Sequence, residues 1–500
     1  MFSLKEKFSK IPEGSGALFF IQIFCTLAYA VLYSTLVLYA TKHLNFTAKE
    51  ATAVMGVFGA FNYGLHLFGG YLGGRFLSNR NLFVGGMILQ VIGCACIAGG
   101  SVDLLYWGLA PFLVGSGLNV TCVNMMLTQR FKPDDIRREG AFLWNYAGMN
   151  LGFFIGFLVA GYYQELGDYR SLFIFASLGN VVAMALAAVN WKIIGDLSTP
   201  LLEATSTAFK ARFAAGTLIM IGLVPVIYWL LQHAALSSNV VQIVGAGITF
   251  TLLYLTLTHR DARERNNMWA YLILAVGYLV FWALSLMMPM GLELFAENNV
   301  DRQVLGFEIA PQWILNINSF VIMIGGPLMS ALFVRLRARG WNIDIPRQFA
   351  ASLLLIGIGF LALRVGIATA GADGKTAFVW IALCYLLQSV AELLSSPIGY
   401  AMIGKLAPKQ YQGIMMGTWM LSTGVASTIA SYFSGLVPEP TPGLPASTNA
   451  AYSQIFSTLG WAGFAVGVGL VVLIPFLRKL IKDADSAPAQ AAVPEEKLAA

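Results

Sequence analysis

Charge is what this sequence lacks. Only 11% of its 500 residues are Asp, Glu, Lys or Arg, whereas a soluble domain carries about 25%. Cysteine is scarce too. Cys25, Cys94, Cys96, Cys122 and Cys384 all fall inside apolar runs, and no CxxC pair or Cys/His cluster exists, so neither a disulfide frame nor a zinc site is indicated. No nucleophile–base constellation or catalytic domain stands out, so the chain does not read as an enzyme, and no cofactor or metal is expected. The net charge of +6 is not a nucleic-acid footprint, because the excess base is distributed by loop. Met1–Gly16 is of mixed charge and does not resemble a cleavable signal peptide.

In place of charge there are long apolar runs, each near the roughly 20 residues that cross a hydrocarbon core. Fourteen are read. Six come first: Ala17–Tyr39, Ala51–Gly73, Leu82–Gly99, Leu104–Leu127, Ala141–Tyr163 and Ser171–Trp191. Phe213–Leu231 and Val240–Leu257 sit in the middle. Trp269–Pro289, Trp313–Leu336, Phe349–Ala370, Phe378–Ile403, Tyr411–Phe433 and Ile455–Leu477 follow. The loops between them alternate. Lys5, Lys7 and Lys10, then Arg75 and Arg80, then Arg130, Lys132, Arg137 and Arg138 fall on one side. So do Lys210 and Arg212, Arg260, Arg263 and Arg265, Arg335, Arg337 and Arg339, Lys405 and Lys409, and finally Arg478, Lys479 and Lys482. The other loops are poor in base or acidic, as at Glu297, Asp301 and Glu308. The positive-inside rule then places both termini in the cytoplasm.

Glu392 is the only charged residue in Phe378–Ile403 and lies near its middle. A carboxylate at that depth costs about 2.5–3.5 kcal/mol on insertion scales and marks a substrate or ion pathway by default. Two halves of six spans also carry a weak echo of each other. Gly69-Gly70-Tyr71-Leu72 leads into Arg75, and Gly325-Gly326-Pro327-Leu328 leads into Arg335. Parallel six-span repeats bind substrate near the midplane where they meet.

Three stretches, in order, resemble the proton-dependent oligopeptide transporters, a branch of the major facilitator superfamily. They are Asn145-Tyr146-Ala147-Gly148-Met149-Asn150-Leu151-Gly152, then Asn299-Val300-Asp301-Arg302 with Ile317-Asn318, then Glu392-Leu393-Leu394-Ser395-Ser396-Pro397-Ile398-Gly399 continuing to Gly417-Thr418-Trp419. The resemblance implies an all-α membrane protein with the major facilitator fold. It would have fourteen transmembrane helices in a 6 + 2 + 6 arrangement and both termini cytoplasmic. The expected divisions are a cytoplasmic segment 1–16, a six-helix bundle 17–195, a linker 196–266 with two extra helices, a second bundle 267–482 and a disordered tail 483–500.

It also implies site residues. Glu392 matches the family's receiver of a peptide amino terminus. Asn150 and Asn318 match backbone-binding asparagines, and Tyr29, Tyr63 and Trp419 match pocket aromatics. A zwitterionic peptide needs an anion, polar donors and apolar walls, and these residue types supply them. The family's first helix carries a Glu-x-x-Glu-Arg motif. Here Gln22, Cys25 and Thr26 stand at its charged positions, Val120 at the lysine that partners it, Met287 near a polar position of the seventh helix, and Gly74 at a loop aspartate. The cluster has become neutral together, which avoids the several kcal/mol of an uncompensated buried charge. Glu392, His66 and Glu293 remain as candidate proton carriers. Histidine titrates near neutral pH, although helix packing is the plainer reading for His66. Glu293 lies at the outer end of its span, where a solvated carboxylate is expected. The implied function is a secondary transporter of di- or tripeptides or peptide-like molecules in a bacterial inner membrane, proton-linked with non-standard coupling. The alternative is a facilitator or exporter of another amphipathic metabolite. A monomer in the bilayer, with protons and a small peptide as partners and no nucleic acid, is expected.

Overall fold

A bilayer core has no water to satisfy backbone N–H and C=O groups, so an apolar run that enters it must bond to itself as a helix. The computed structural model describes residues 14–132, 135, 137–341, 343–408, 410–439, 444 and 446–485, and within these the runs are helical. In chain order the helices are α1 (Ser15–Tyr33), α2 (Leu36–Lys42), α3 (Ala48–Leu72), α4 (Asn79–Ile97), α5 (Val102–Thr128), α6 (Arg137–Leu166) and α7 (Tyr169–Val189). Next come α8 (Ser206–Gln232), α9 (Ala234–Thr258), α10 (Ala262–Ser285), α11 (Gly291–Asn299), α12 (Pro311–Ala338), α13 (Ile345–Ala368), α14 (Phe378–Leu406), α15 (Gln412–Ser434) and α16 (Ala446–Asp485). Segment 1–13, most of the expected tail and Lys409 lie outside the described residues.

Thirteen segments are long and apolar enough to cross a membrane, with α1 and α2 counted as one. The remaining expected span, Tyr411–Phe433, is present as α15 and has 23 residues, about 35 Å of helix. Its serines, threonines and glycines lower its hydropathy. Two expected spans are not single helices. Ala17–Tyr39 breaks at Ser34 and Thr35, where the Ser34 hydroxyl donates to the Ala30 carbonyl at 2.9 Å. The run from Trp269 breaks after Ser285 and resumes as α11. Among the described residues the helical pattern is interrupted by short outer pairings and by an isolated bridge between Gly73 and Leu77 in the loop after α3. Val300–Asp301 (β1) runs parallel to Thr376–Ala377 (β4), and Gln303–Val304 (β2) forms a hairpin with Phe307–Glu308 (β3).

Helix packing repeats across the two sets of six. The pair α4·α5 has its counterpart in α13·α14, α4·α7 in α13·α16, α3·α5 in α12·α14, and α1·α6 in α10·α15. The sets meet along two seams, α3 against α15 and α6 against α12. Helix α8 packs on α5, and α9 packs on α15 and α3. The α3–α15 seam is built from small residues. Gly56 faces Ser431, Gly59 faces Ser427, and Gly424 lies against the Ala60 backbone, the close approach that small residues allow.

Polar contacts tie the sets together at the end opposite the basic loops. Lys42 pairs with Glu297, Arg302 Nη1 lies 3.5 Å from Glu165, and Gln312 Nε2 donates to Gln164 Oε1 at 3.2 Å. Trp313 Nε1 donates to the Leu158 carbonyl at 2.9 Å and Ala48 N–H to Glu439 at 2.7 Å. Arg302 also reaches Glu297 at 3.3 Å and Glu308 at 3.0 Å. At the other end Leu67, Phe68 and Tyr71 on α3 and Ile324 and Leu328 on α12 are exposed. The arrangement is closed at the outer end.

One expectation is corrected here. Glu293 is not a solvated interfacial carboxylate. It is 1% exposed, and neither carboxyl oxygen has a hydrogen-bond partner among the described residues. Helix α11 is packed among α2, α12, α15 and α16, so the whole short helix is withdrawn from water. An unsatisfied buried polar group costs about 1–3 kcal/mol. Glu293→Leu is therefore expected to hold or raise the melting temperature of the purified protein, whereas Glu293→Lys lowers it by several degrees. Thermal unfolding in detergent checks both.

Candidate functional site

The acid of the site stands on α14. The apolar side chains around it hold that helix against α12 and α13, and Glu392 is only part-buried while Ser389, one turn earlier, is fully buried. Asn318 on α12 bridges the two. Its Nδ2 donates to Glu392 Oε2 at 2.9 Å and to Ser389 Oγ at 3.2 Å. Hydrogen bonds to a charged acceptor are shorter and about twice as strong as neutral ones, so Asn318 fixes the carboxyl without neutralising it. Among the described residues no arginine or lysine joins the pair.

The facing wall comes from α1, α3 and α5. Tyr29 stacks on Phe58 with ring centroids 6.0 Å apart and on Tyr33 at 5.9 Å, with Phe153 edge-on at 6.1 Å. Asn62 Nδ2 lies 3.4 Å from the Tyr29 hydroxyl, and Asn62 Oδ1 accepts from Ser116 Oγ at 3.0 Å. His66 is buried 3.5 Å from Asn62 Nδ2 and edge-on to Tyr63. Glu392, Asn318 and Ser389 thus form one polar group on the second set of helices, and Tyr29, Tyr63 and His66 form another on the first, together with Tyr33 and Asn62, which the sequence did not single out. Asn62 stands next to Tyr63, and Tyr33 one turn after Tyr29. That helical spacing was the available signal.

Two expected members do not join them. Asn150 is 4% exposed and donates to the Tyr146 carbonyl of its own helix at 3.0 Å. Trp419 is fully buried. Its ring stacks 3.8 Å from Tyr278, with Phe349 edge-on at 6.1 Å, so it backs Tyr278 and does not line the gap. The reason is tertiary. Glycine at 399 leaves a space on α14 that the Trp419 ring fills.

A second polar group lies further along α1. The Thr26 hydroxyl donates to the Gln22 carbonyl at 2.8 Å, so its oxygen is left to accept from Gln22 Nε2 at 3.0 Å. Gln22 Oε1 in turn accepts from Asn145 Nδ2 at 3.4 Å, and that amide also lies 3.5 Å from Asn124 Oδ1. These are neutral groups tied to one another across α1, α5 and α6. Among the described residues no cluster of His, Cys, Asp and Glu forms a metal site.

The comparisons agree with this geometry. A family model described as the POT family matches residues 80–450. Dipeptide and tripeptide permease B of Salmonella typhimurium is 29% identical over 479 residues, covering 94% of this chain and 96% of that protein. Dipeptide and tripeptide permease A of Chromobacterium violaceum is 28% identical, covering 94% and 95%. A crystal structure of a peptide transporter POT in complex with sulfate superposes with a TM-score of 0.82 at 26% identity, covering 94% and 96%. The fold, the matched span and the paired walls of the gap lead to one conclusion: this chain belongs to the POT family.

Proposed function

We propose that the protein is a secondary transporter that moves small peptides or peptide-like molecules across the bacterial inner membrane by alternating access. The observation that carries this reading is the mid-depth Glu392 carboxyl held by Asn318, with Tyr29, Tyr33 and Tyr63 gathered on the other set of helices. An ammonium group finds there both a counter-ion and aromatic faces. The relatives named as dipeptide and tripeptide permeases support the substrate class. The divisions 17–195 and 267–482 act as the two rocking bundles, 196–266 flanks them, and the termini are cytoplasmic. The site uses no cofactor, and the chain works as a monomer in the lipid bilayer.

Glu392 is the first proton carrier in this reading, with His66 and Glu293 as further candidates. The same carboxyl then serves the substrate amine and the proton in turn, because Gln22, Cys25, Thr26 and Val120 supply no charge. The neutral first-helix wall also supports a second reading, in which transport is facilitated rather than proton-driven.

Uptake of a labelled dipeptide into proteoliposomes, with and without an inward proton gradient, separates these. Glu392→Gln is expected to lower uptake at least about tenfold and to erase any response to the gradient. Peptide flux unchanged by that substitution would sink the role of Glu392, and wild-type flux indifferent to the gradient would leave facilitated transport. Asn318→Ala removes one charge-assisted hydrogen bond, worth about 1.5–3 kcal/mol. It is expected to weaken substrate binding by about 10- to 100-fold, measured by titration calorimetry, with the melting temperature little changed because Asn318 is only part-buried.

A further inference from the structure

The interior offers an acid and neither lysine nor arginine to balance it. No Lys or Arg occurs in residues 11–41, 50–74, 104–129, 139–169, 266–301, 303–334, 376–404 or 410–477. These include the membrane-depth parts of every helix that faces the gap. Arg364, inside α13, is spent on Ser457 of α16 at 3.0 Å. A substrate with a free carboxylate would bring a second negative charge to a site with nothing to receive it, and an unpaired charge in a low-dielectric interior is costly.

The wall beyond the tyrosines has a definite polarity. Thr26 spends its proton on the Gln22 carbonyl, which sets the direction of Gln22 and then of Asn145. Asn145 Oδ1 is left buried with no donor among the described residues, and Asn145 is 6% exposed. A carboxylate has no donor to offer, whereas a carboxamide has its N–H. Gln22 and Tyr29 are seven residues apart on α1, roughly 10 Å along the axis, which is about three extended residues.

From these observations, and resting on the peptide-transport reading, we infer that the substrates are amines whose far end is an uncharged hydrogen-bond donor: peptide amides and related carboxamides rather than free peptide acids. The ammonium group sits at Glu392 between Tyr33 and Tyr63. The carboxamide lies towards Gln22, Asn124 and Asn145, accepting from the amides and donating to Asn145 Oδ1.

Titration of the purified protein with L-alanyl-L-phenylalaninamide and with L-alanyl-L-phenylalanine tests this. The amide is expected to bind at least about tenfold more tightly. Asn145→Leu should remove that advantage by weakening the amide alone. Val120 is 41% exposed and one helical turn from Asn124, so Val120→Lys tolerates a charge and should restore binding of the free acid. Equal binding of the two ligands, or tighter binding of the acid, overturns this inference and leaves peptide transport standing. An amide preference untouched by Asn145→Leu overturns the assignment to this wall. Binding of neither ligand overturns the transport reading together with the inference.

Discussion

The cost of an unpaired charge in hydrocarbon orders this molecule. It keeps arginine and lysine, Arg364 on α13 excepted, out of the middle of the spans and in loops that alternate along the chain. It leaves a single acid, Glu392, at mid-depth on α14, where Asn318 and the part-open gap make it tolerable. It also explains why the first-helix wall is neutral as a set. Gln22, Thr26, Asn124 and Asn145 satisfy one another almost completely, which they could not do if one of them were ionised without a partner.

The outer closure follows the opposite logic. There the charges are numerous and cross-linked, with Arg302 touching carboxylates from both sets of helices. Such pairs near the membrane surface are individually weak, and five polar links in parallel with the small-residue α3–α15 seam suit a contact that must form and separate repeatedly. Glu293 lies in this region without a hydrogen-bond partner among the described residues, so the closed end holds both satisfied and unsatisfied carboxyls within one short helix and its neighbours.

Much of the architecture was legible in the sequence because a membrane span is a local property: length and hydropathy identify it, and loop charge orients it. The break at Ser34–Thr35 was not legible, since no proline announces it, whereas Pro289 lies inside the break after Ser285 and was read only as the end of a span. The Glu392–Asn318 contact joins two residues that the family resemblance had named separately. The burial of Trp419 behind Tyr278 and the withdrawal of Glu293 were not legible, because each is decided by packing against elements far away in the chain. The Gln22–Asn145 contact, 123 residues apart, was invisible for the same reason.

The two broken helices have a mechanical consequence. Helix α1 gives way to α2, and α10 to α11, above the tyrosines and Glu392. Each break sets a short outer piece off from the longer helix before it, and the Lys42–Glu297 pair joins those two short pieces to each other. The outer closure is therefore carried in part by segments separate from the long helices that carry the tyrosines.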